Sequence, residues 1–244
     1  MVLIVRTTPL HIVIPVKNSP ESTSLTIEAV INSKSEIDFE LTVYDDFSEK
    51  ETADMLDKLA SKYNFKVVHL SEVTANPSPN YRLVLQMAQT KAVSSGAHIV
   101  IVESDVTVNE DTISKLYNSV NNLDNPGLIA AVTTDEKDII NYPYLFAADL
   151  NLGVTSVKKH LSFCCTLLSN AFLSSYDFNK LNPEKSWYDV FISHKAIELG
   201  FFNYLDTTCR VIHQPHSSRP WKKLKYRNPF LYYFRKLFKG LDKI

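Results

Sequence analysis

The chain has 244 residues, 45% hydrophobic and 22% charged, an ordinary balance for a globular protein large enough to bury a sizeable core. Glycine is scarce, with five in all, and neither G-x-G-x-x-G nor G-x-x-x-x-G-K-S/T occurs, which argues against dinucleotide and P-loop phosphate cradles. The net charge of −1 hides an asymmetry: Arg219–Ile244 holds nine basic residues and one acid, leaving 17 basic and 26 acidic residues, net −9, in Met1–Ser218.

No window approaches the roughly 20 apolar residues that span a bilayer. The N-terminus, M-V-L-I-V-R-T-T-P-L, is too short for a signal peptide and lacks its flanks. Cys164, Cys165 and Cys209 form neither a disulfide framework nor a zinc-site spacing, so reduced thiols and a cytoplasmic location are expected.

In chain order, Leu10–Val16 reads as a strand with Pro15 at its end, because proline cannot donate to a central ladder. Ser19 is the expected N-cap of a helix with Pro20 at its first position. Phe39–Tyr44 is a second strand, running into Asp45-Asp46-Phe47-Ser48. A helix follows from about Lys50 to Tyr63, then a strand at Phe65–Leu70 and a loop at Asn76–Asn80. Tyr81–Ser95 reads as a helix ended by Gly96.

His98–Val102 is a continuous apolar run bounded by polar residues, the pattern of a buried parallel strand. It is followed at once by Glu103-Ser104-Asp105. Two acids beyond a strand's carboxyl end can hold a divalent cation and, through it, a phosphorylated ligand; equally they can solubilise the strand end and cap a helix. That next helix is expected from Asn109 or Glu110, and Leu128–Val132 is a further strand. Alternation over the first 135 residues predicts a parallel sheet with helices on both faces.

After Thr133 the rhythm changes. Asp135–Lys159 shows no clean period, Ser162–Leu168 reads as a buried strand, Trp187–Leu199 as a helix and Phe202–Ile212 as a strand leading to His213. From Trp221 the tail reads as a basic amphipathic helix with Phe230, Tyr233, Phe234, Leu237 and Phe238 on one side.

Five segments in this order resemble the family 2 glycosyltransferases, inverting enzymes of the GT-A fold that use nucleotide sugars. They are I-V-I-P-V at Ile12–Val16, V-Y-D-D-F-S at Val43–Ser48, V-E-S-D-V at Val102–Val106, F-C-C-T-L-L at Phe163–Leu168 and W-Y-D-V-F-I-S-H-K-A-I-E-L-G at Trp187–Gly200. The resemblance spans residues 10–218. It implies a Rossmann-like, mostly parallel sheet flanked by helices, with a nucleotide-sugar half at about 1–135, an acceptor half at 136–218 and the tail at 219–244.

The resemblance also implies roles. Pro15, Val16, Asp45 and Asp46 would face the base or ribose, although an aspartate there also suits a turn and a helix cap. Glu103, Ser104 and Asp105 stand where the family has Asp-x-Asp, with glutamate in place of the first acid. Asp105 is the expected ligand of Mg²⁺ or Mn²⁺, and His213, after the last strand, is a second metal candidate beside a purely structural reading. Asp189 is the expected general base, matching one acid of the family's Glu-Asp pair, with Trp187 and Tyr188 offering apolar surface to an acceptor sugar. Cys164 and Cys165 read as buried strand residues, and Arg82 as an exposed arginine or a base contact. Tyr142–Phe146 either lines the acceptor site or packs beneath it.

The expected activity is transfer of a hexosyl group from a nucleotide-diphosphate sugar to a saccharide or lipid-linked acceptor in surface polysaccharide synthesis. The tail has two readings: a peripheral helix on the inner face of the cell membrane, or a helix packed on the body or a second subunit. Nucleic acid is not an expected partner, because the acidic body repels phosphates. Two rivals stand beside the enzyme: a non-catalytic nucleotide- or sugar-binding module, and a nucleotidyltransferase, whose Gly-rich, cationic loop Val16–Ser19 does not supply.

Overall fold

The computed structural model describes residues 9–35, 37–185 and 187–214, together with residues 230, 231 and 234. The first half alternates as expected: β1 (Leu10–Val16), α1 (Pro20–Ile31), β2 (Phe39–Asp45), α2 (Lys50–Tyr63), β3 (Lys66–His69), α3 (Tyr81–Ser95) and β4 (His98–Val102). Next come β5 (Val106–Val108), α4 (Thr112–Asn122) and β6 (Pro126–Thr134), then β7 (Val154–Ser156), β8 (Cys165–Leu168), α5 (Asn170–Ser175), α6 (Tyr188–Glu198) and β9 (Phe202–His213).

Among the described residues nine strands form one sheet, in the order β3-β2-β1-β4-β8-β6-β9-β5, with β7 added on β9. β3, β2, β1 and β4 are mutually parallel. The apolar residues of β1 and β4 alternate between two cores. Val13, Ile99 and Ile101 pack with α3, α5 and α6 residues, while Ile12, Ile14, Val100 and Val102 pack with residues of α1, α2 and α4. Period-2 side chains on strands buried on both sides require this division, and it places helices on both faces.

Pairing of β1 with β4 stops at Val13, whereas pairing with β2 continues to Val16. Pro15 therefore falls where the ladder on the β4 side has already ended, as its missing N–H demands.

Three expectations change, and one feature is added. β8 inserts between β4 and β6, antiparallel to both. Hydrophobic runs do not encode neighbour order, and only the 30-residue excursion before β8 makes the insertion possible. Ser19 is not a side-chain cap: it sits at φ 61, ψ 59, whereas an N-cap needs extended backbone to aim its oxygen at the first turn. α4 begins at Thr112, later than expected, and Asn109 N instead bonds the Thr112 hydroxyl at 3.0 Å. β5 and β7 lie in stretches that showed no strand pattern, being only three residues each.

One buried polar residue ties the two halves. Gln89 on α3 donates to the Leu173 carbonyl at 2.8 Å and to the Tyr176 carbonyl, and accepts from Phe178 N at 2.7 Å. With every polar atom of its amide satisfied, it fastens the α5 region under the sheet. Most of the basic tail lies outside the described residues; Phe230 and Phe234 are exposed, with ring centroids 6.5 Å apart. Among the described residues no helix is long and apolar enough to cross a membrane.

Candidate functional site

The carboxyl ends of the parallel strands lie together, where open α/β sheets bind ligands. In register, Val16 pairs with Asp45, and Asp45 with His69. The loops that follow β1 and β2 are knotted to each other. Asn18 and Phe47 both adopt left-handed backbone, at φ 58 in each case, and asparagine tolerates this conformation better than most residues. Asn18 N donates to Ser48 Oγ at 2.8 Å, Glu49 N donates to Asn18 Oδ1 at 2.8 Å, and the Lys17 ammonium bonds the Phe47 carbonyl.

Asp45 and Asp46 have separate tasks within this frame. Asp45 Oδ1 accepts from Ser48 N at 3.0 Å, which shapes the turn, and Oδ2 pairs with His69 Nδ1 at 2.8 Å. The other ring nitrogen of His69 lies 3.1 Å from Asp57 on α2. Burial opposes charging of His69, but its two carboxylate partners outweigh that and its pKa is raised. Asp46, 9% exposed, latches the Asn76–Asn80 loop: Oδ2 accepts from Ser78 Oγ at 2.7 Å and Asn80 N at 2.9 Å, and Oδ1 from Asn80 Nδ2 at 2.8 Å. Neither aspartate caps α2, whose N-cap position is Glu49.

Glu103, Asp105 and His213 are brought together by pairing between distant segments. β5 runs antiparallel to the end of β9, aligning Val106 with His213, and Gln214 N bonds the Asp105 carbonyl at 3.0 Å. His213 Nε2 then lies 3.7 Å from Asp105 Oδ2, both side chains being 2% exposed or less. The Tyr142 carbonyl lies 2.8 Å from His213 Nδ1. A carbonyl only accepts, so Nδ1 donates to it and Nε2 faces the acids.

Cys164, read from the sequence as a buried strand residue, joins this group. Glu103 N donates to the Cys164 carbonyl at 2.9 Å, and the Cys164 Sγ stands 3.7 Å from Glu103 Oε2. One ligand atom each from Glu103, Cys164 and His213 lie within 4.8 Å of one another. Imidazole, thiol and carboxylates converging in a buried position are a donor set suited to a divalent metal ion. Ser104 is buried between its acidic neighbours.

Asp189 is half-buried in the first turn of α6 and accepts from Val190 N at 2.9 Å. Tyr188 is buried in the core on the α3 side, its hydroxyl 3.3 Å from the Asn182 carbonyl, whereas Trp187 keeps part of its surface in solvent. Arg82 is half-buried rather than exposed, and donates to the Leu181 carbonyl at 3.1 Å.

Among the described residues, two surface cavities stand out. One of about 490 Å³ is lined by Ile31, Phe39, Tyr63 and Phe65, at the amino ends of β2 and β3, opposite the strand ends described above. The other, about 430 Å³, is bounded by Pro143, Tyr144, Phe146, Lys159, Ser162 and His194. It abuts the metal-type cluster, because Ser162 Oγ is 3.3 Å from Cys164 Sγ. Position within the sheet, not size, favours the second as the ligand-facing cavity. Tyr144 forms its floor: the hydroxyl accepts from Ser162 N at 2.9 Å and donates to the Ser162 carbonyl at 3.1 Å. Burial, then the nearby Cys164, raises the Tyr144 pKa well above the usual phenol value.

The glycosyl transferase family 2 model matches residues 11–173, from β1 through most of α5. The chain belongs to that family. Among curated proteins none matches this family 2 chain in sequence. Among solved structures it is similar to the mannosyltransferase PcManGT from Pyrobaculum calidifontis, in complex with GDP-Man and Mn²⁺, at TM-score 0.66 and 12% identity, covering 95% of this chain and 64% of that one. It is also similar to S. aureus TarS in complex with UDP-GlcNAc, at TM-score 0.62 and 16% identity, covering 86% and 59%. GalNAc-T7 with UDP, GalNAc and Mn²⁺ superposes at TM-score 0.63 and 15% identity, over 85% of this chain and 44% of that one. At such identities the likeness is one of fold, which is GT-A, and this family 2 chain spans less than two thirds of each neighbour's length.

Three residues that organise this candidate site carried weak signals or none in the sequence. Asn18 and Asn80 sit in loops between a strand and a helix, where asparagine marks turn chemistry, but their partners lie thirty or more residues away. The Tyr142 carbonyl is a backbone group, which no side-chain pattern reports.

Proposed function

We propose that this chain is an inverting glycosyltransferase that moves a hexosyl group from a nucleotide-diphosphate sugar to a saccharide or lipid-linked acceptor. The reading is supported chiefly by the convergence of Glu103, Asp105 and His213 at the carboxyl side of a GT-A sheet.

In this reading the nucleoside lies along the ends of β1 and β2. Pro15 and Val16 present backbone, Asp45 accepts from the base or ribose, and Asp46 holds the Asn76–Asn80 loop against them. Glu103, Asp105 and His213 would hold a divalent cation, which as a Lewis acid offsets the diphosphate charge and eases departure of the nucleotide. The Nδ1–H bond of His213 to the Tyr142 carbonyl keeps Nε2 aimed inward without rotation of the ring. Ser104 fixes the spacing of the two acids.

Asp189 takes the proton of the acceptor hydroxyl as that oxygen attacks the anomeric carbon, giving inversion in a single displacement. The exposed part of Trp187 offers the acceptor ring an apolar face, with Tyr188 packed behind it. The cavity at Pro143 and Phe146 lies on the acceptor side. The basic, aromatic tail motivates a peripheral position on a membrane bearing lipid-linked acceptors, in surface polysaccharide synthesis.

The test is thermal stability against UDP-, GDP-, dTDP- and CMP-sugars, with and without Mn²⁺, for the wild type, Asp105→Ala and Asp189→Asn. A ligand at a hundredfold excess over its dissociation constant stabilises the folded state by about 2.7 kcal/mol. One nucleotide class is expected to give a metal-dependent shift that Asp105→Ala loses and Asp189→Asn keeps. Turnover of Asp189→Asn is expected to fall about 10²- to 10⁴-fold. Absence of a shift with all four classes overturns the donor site. Binding without turnover in the wild type, across saccharide and lipid-linked acceptors, favours a non-catalytic sugar-nucleotide module instead, consistent with glutamate at 103 and tyrosine at 188.

A further inference from the structure

Cys164 occupies an unusual place for a buried cysteine. Its backbone carbonyl anchors Glu103, its Sγ is 3.7 Å from the Glu103 carboxylate, and one ligand atom each from Cys164, Glu103 and His213 share a sphere in which no pair is more than 4.8 Å apart. Oxygen and sulfur ligands of one tetrahedral metal ion lie roughly 3.5 Å apart, from metal–oxygen and metal–sulfur bonds of about 2.0 and 2.3 Å. The Cys164–Glu103 separation of 3.7 Å is close to that of a liganded ion, and the wider separations, up to 4.8 Å, would close by side-chain rotation. Cys165 and Cys209 share the buried core with Cys164, but neither belongs to the group formed with Glu103 and His213.

We propose that Cys164 is itself a metal ligand, so that the site is a mixed Cys–His–carboxylate centre preferring thiophilic ions such as Zn²⁺ or Co²⁺ over Mg²⁺. The proposal rests on the cation part of the donor-site reading, but concerns which ion these side chains choose. Mg²⁺ takes oxygen ligands and holds water tightly, and thiolate sulfur is a poor substitute for either. A borderline-soft ion gains from sulfur, and His213 supplies a neutral nitrogen with its outer proton already engaged by Tyr142. As the metal–sulfur bond forms, the thiol proton passes to solvent. Ser162 Oγ, 3.3 Å from Cys164 Sγ, orients the sulfur from the cavity side.

The experiment is titration of the full-length, metal-free protein with Co²⁺, read by the near-ultraviolet thiolate-to-cobalt charge-transfer band. The wild type, Cys165→Ala and Cys209→Ala are expected to show the band, and Cys164→Ala to lack it. Competition of Zn²⁺ and Mg²⁺ against bound Co²⁺ then gives selectivity. Removing a ligand should weaken Zn²⁺ binding by more than the roughly 10- to 100-fold that an outer-sphere change costs, with Mg²⁺ binding little altered. Since Cys164 is buried, a measurement on the wild type accompanies the variant: Zn²⁺, but not Mg²⁺, is expected to protect Cys164 from alkylation, located by mass spectrometry. Co²⁺ binding without the band, or a band that survives in Cys164→Ala, overturns the proposal while leaving the cation site in place. A band lost in Cys164→Ala, with no nucleotide sugar bound by the metal-loaded wild type, upholds it and overturns the donor reading.

Discussion

Asp46 holds a loop and, in the proposed reading, also meets the nucleotide, and the two roles separate by mutation. Its carboxylate receives three hydrogen bonds, from Ser78 Oγ, Asn80 N and Asn80 Nδ2, at 2.7, 2.9 and 2.8 Å. Hydrogen bonds to a charged acceptor contribute about 1.5–3 kcal/mol each, so simple addition gives roughly 4.5–9 kcal/mol. That sum is an upper bound. The Ser78 hydroxyl can turn to water, and Asn80 Nδ2 also bonds the Asn76 carbonyl at 3.0 Å. The loss that persists is the buried Asn80 backbone donor plus part of the other two, about 3 kcal/mol for Asp46→Ala. In a chain of this size that lowers the melting temperature by about 6–12 °C.

Asp46→Asn should fall between, because an amide presents one acceptor and turns a donor toward donors. The assay is urea unfolding of the two variants beside the wild type. A change under about 1 kcal/mol for Asp46→Ala would refute the latch. Asn80→Ala breaks the same latch from the other side and leaves the carboxylate in place. If donor affinity falls in Asp46→Ala and holds in Asn80→Ala, the carboxylate touches the nucleotide; if it falls equally in both, the loop does.

Three further outcomes are expected. His69, raised by its carboxylate partners, stabilises the fold fully below its unfolded pKa near 6.5, and that contribution is lost as pH rises through the folded value. His11 and His98 are lowered, chiefly by burial, and act in the opposite sense, losing stability as pH falls. The difference in urea midpoint between wild type and His69→Gln should therefore shrink from about pH 6 to about pH 9; a constant difference would deny the charged bridge. At Gly127 an added Cβ would stand 2.9 Å from the Phe201 Cβ and 3.0 Å from the Ala196 Cβ, so Gly127→Ala should cost about 1–3 kcal/mol in thermal unfolding. Gln89→Leu strands the Leu173 and Tyr176 carbonyls and the Phe178 N–H, and should cost about 3 kcal/mol or more by urea unfolding.

The strands and helices up to β4 were legible because burial on both faces writes continuous apolar runs, and strand–helix alternation leaves few topologies. The Asp45-Asp46 turn and the acids after β4 were legible for a related reason: polar residues that interrupt such runs mark strand ends. Side-chain economy within the site was not. Nothing local tells Asp45, tied to His69, from Asp46, tied to Asn80, because both partners arrive from later loops. Tyr188 read as acceptor surface because its aromatic ring stands next to Asp189. The helical turn instead sends it into the core and leaves Trp187 partly outside. The insertion of β8 between β4 and β6 went unread, since an antiparallel strand in a mixed sheet has the same apolar composition as a parallel one.

That insertion is also what makes the site. Had β6 followed β4, the strand beside Glu103 would have come from the same alternating half, and no thiol would face the acid. Placing β8 there brings Cys164 to the Glu103 backbone, while β9, parallel to β6 and antiparallel to β5, delivers His213 across from Val106. The cluster thus joins residues separated by more than one hundred positions through two strand pairings. It follows that the His213 end of β9 and the Asp105 end of β5 hold each other. A ligand bridging Asp105 and His213 would tighten β5 against β9 and, through Asn141 Nδ2 on the His213 carbonyl at 3.0 Å, the segment that lines the adjoining cavity.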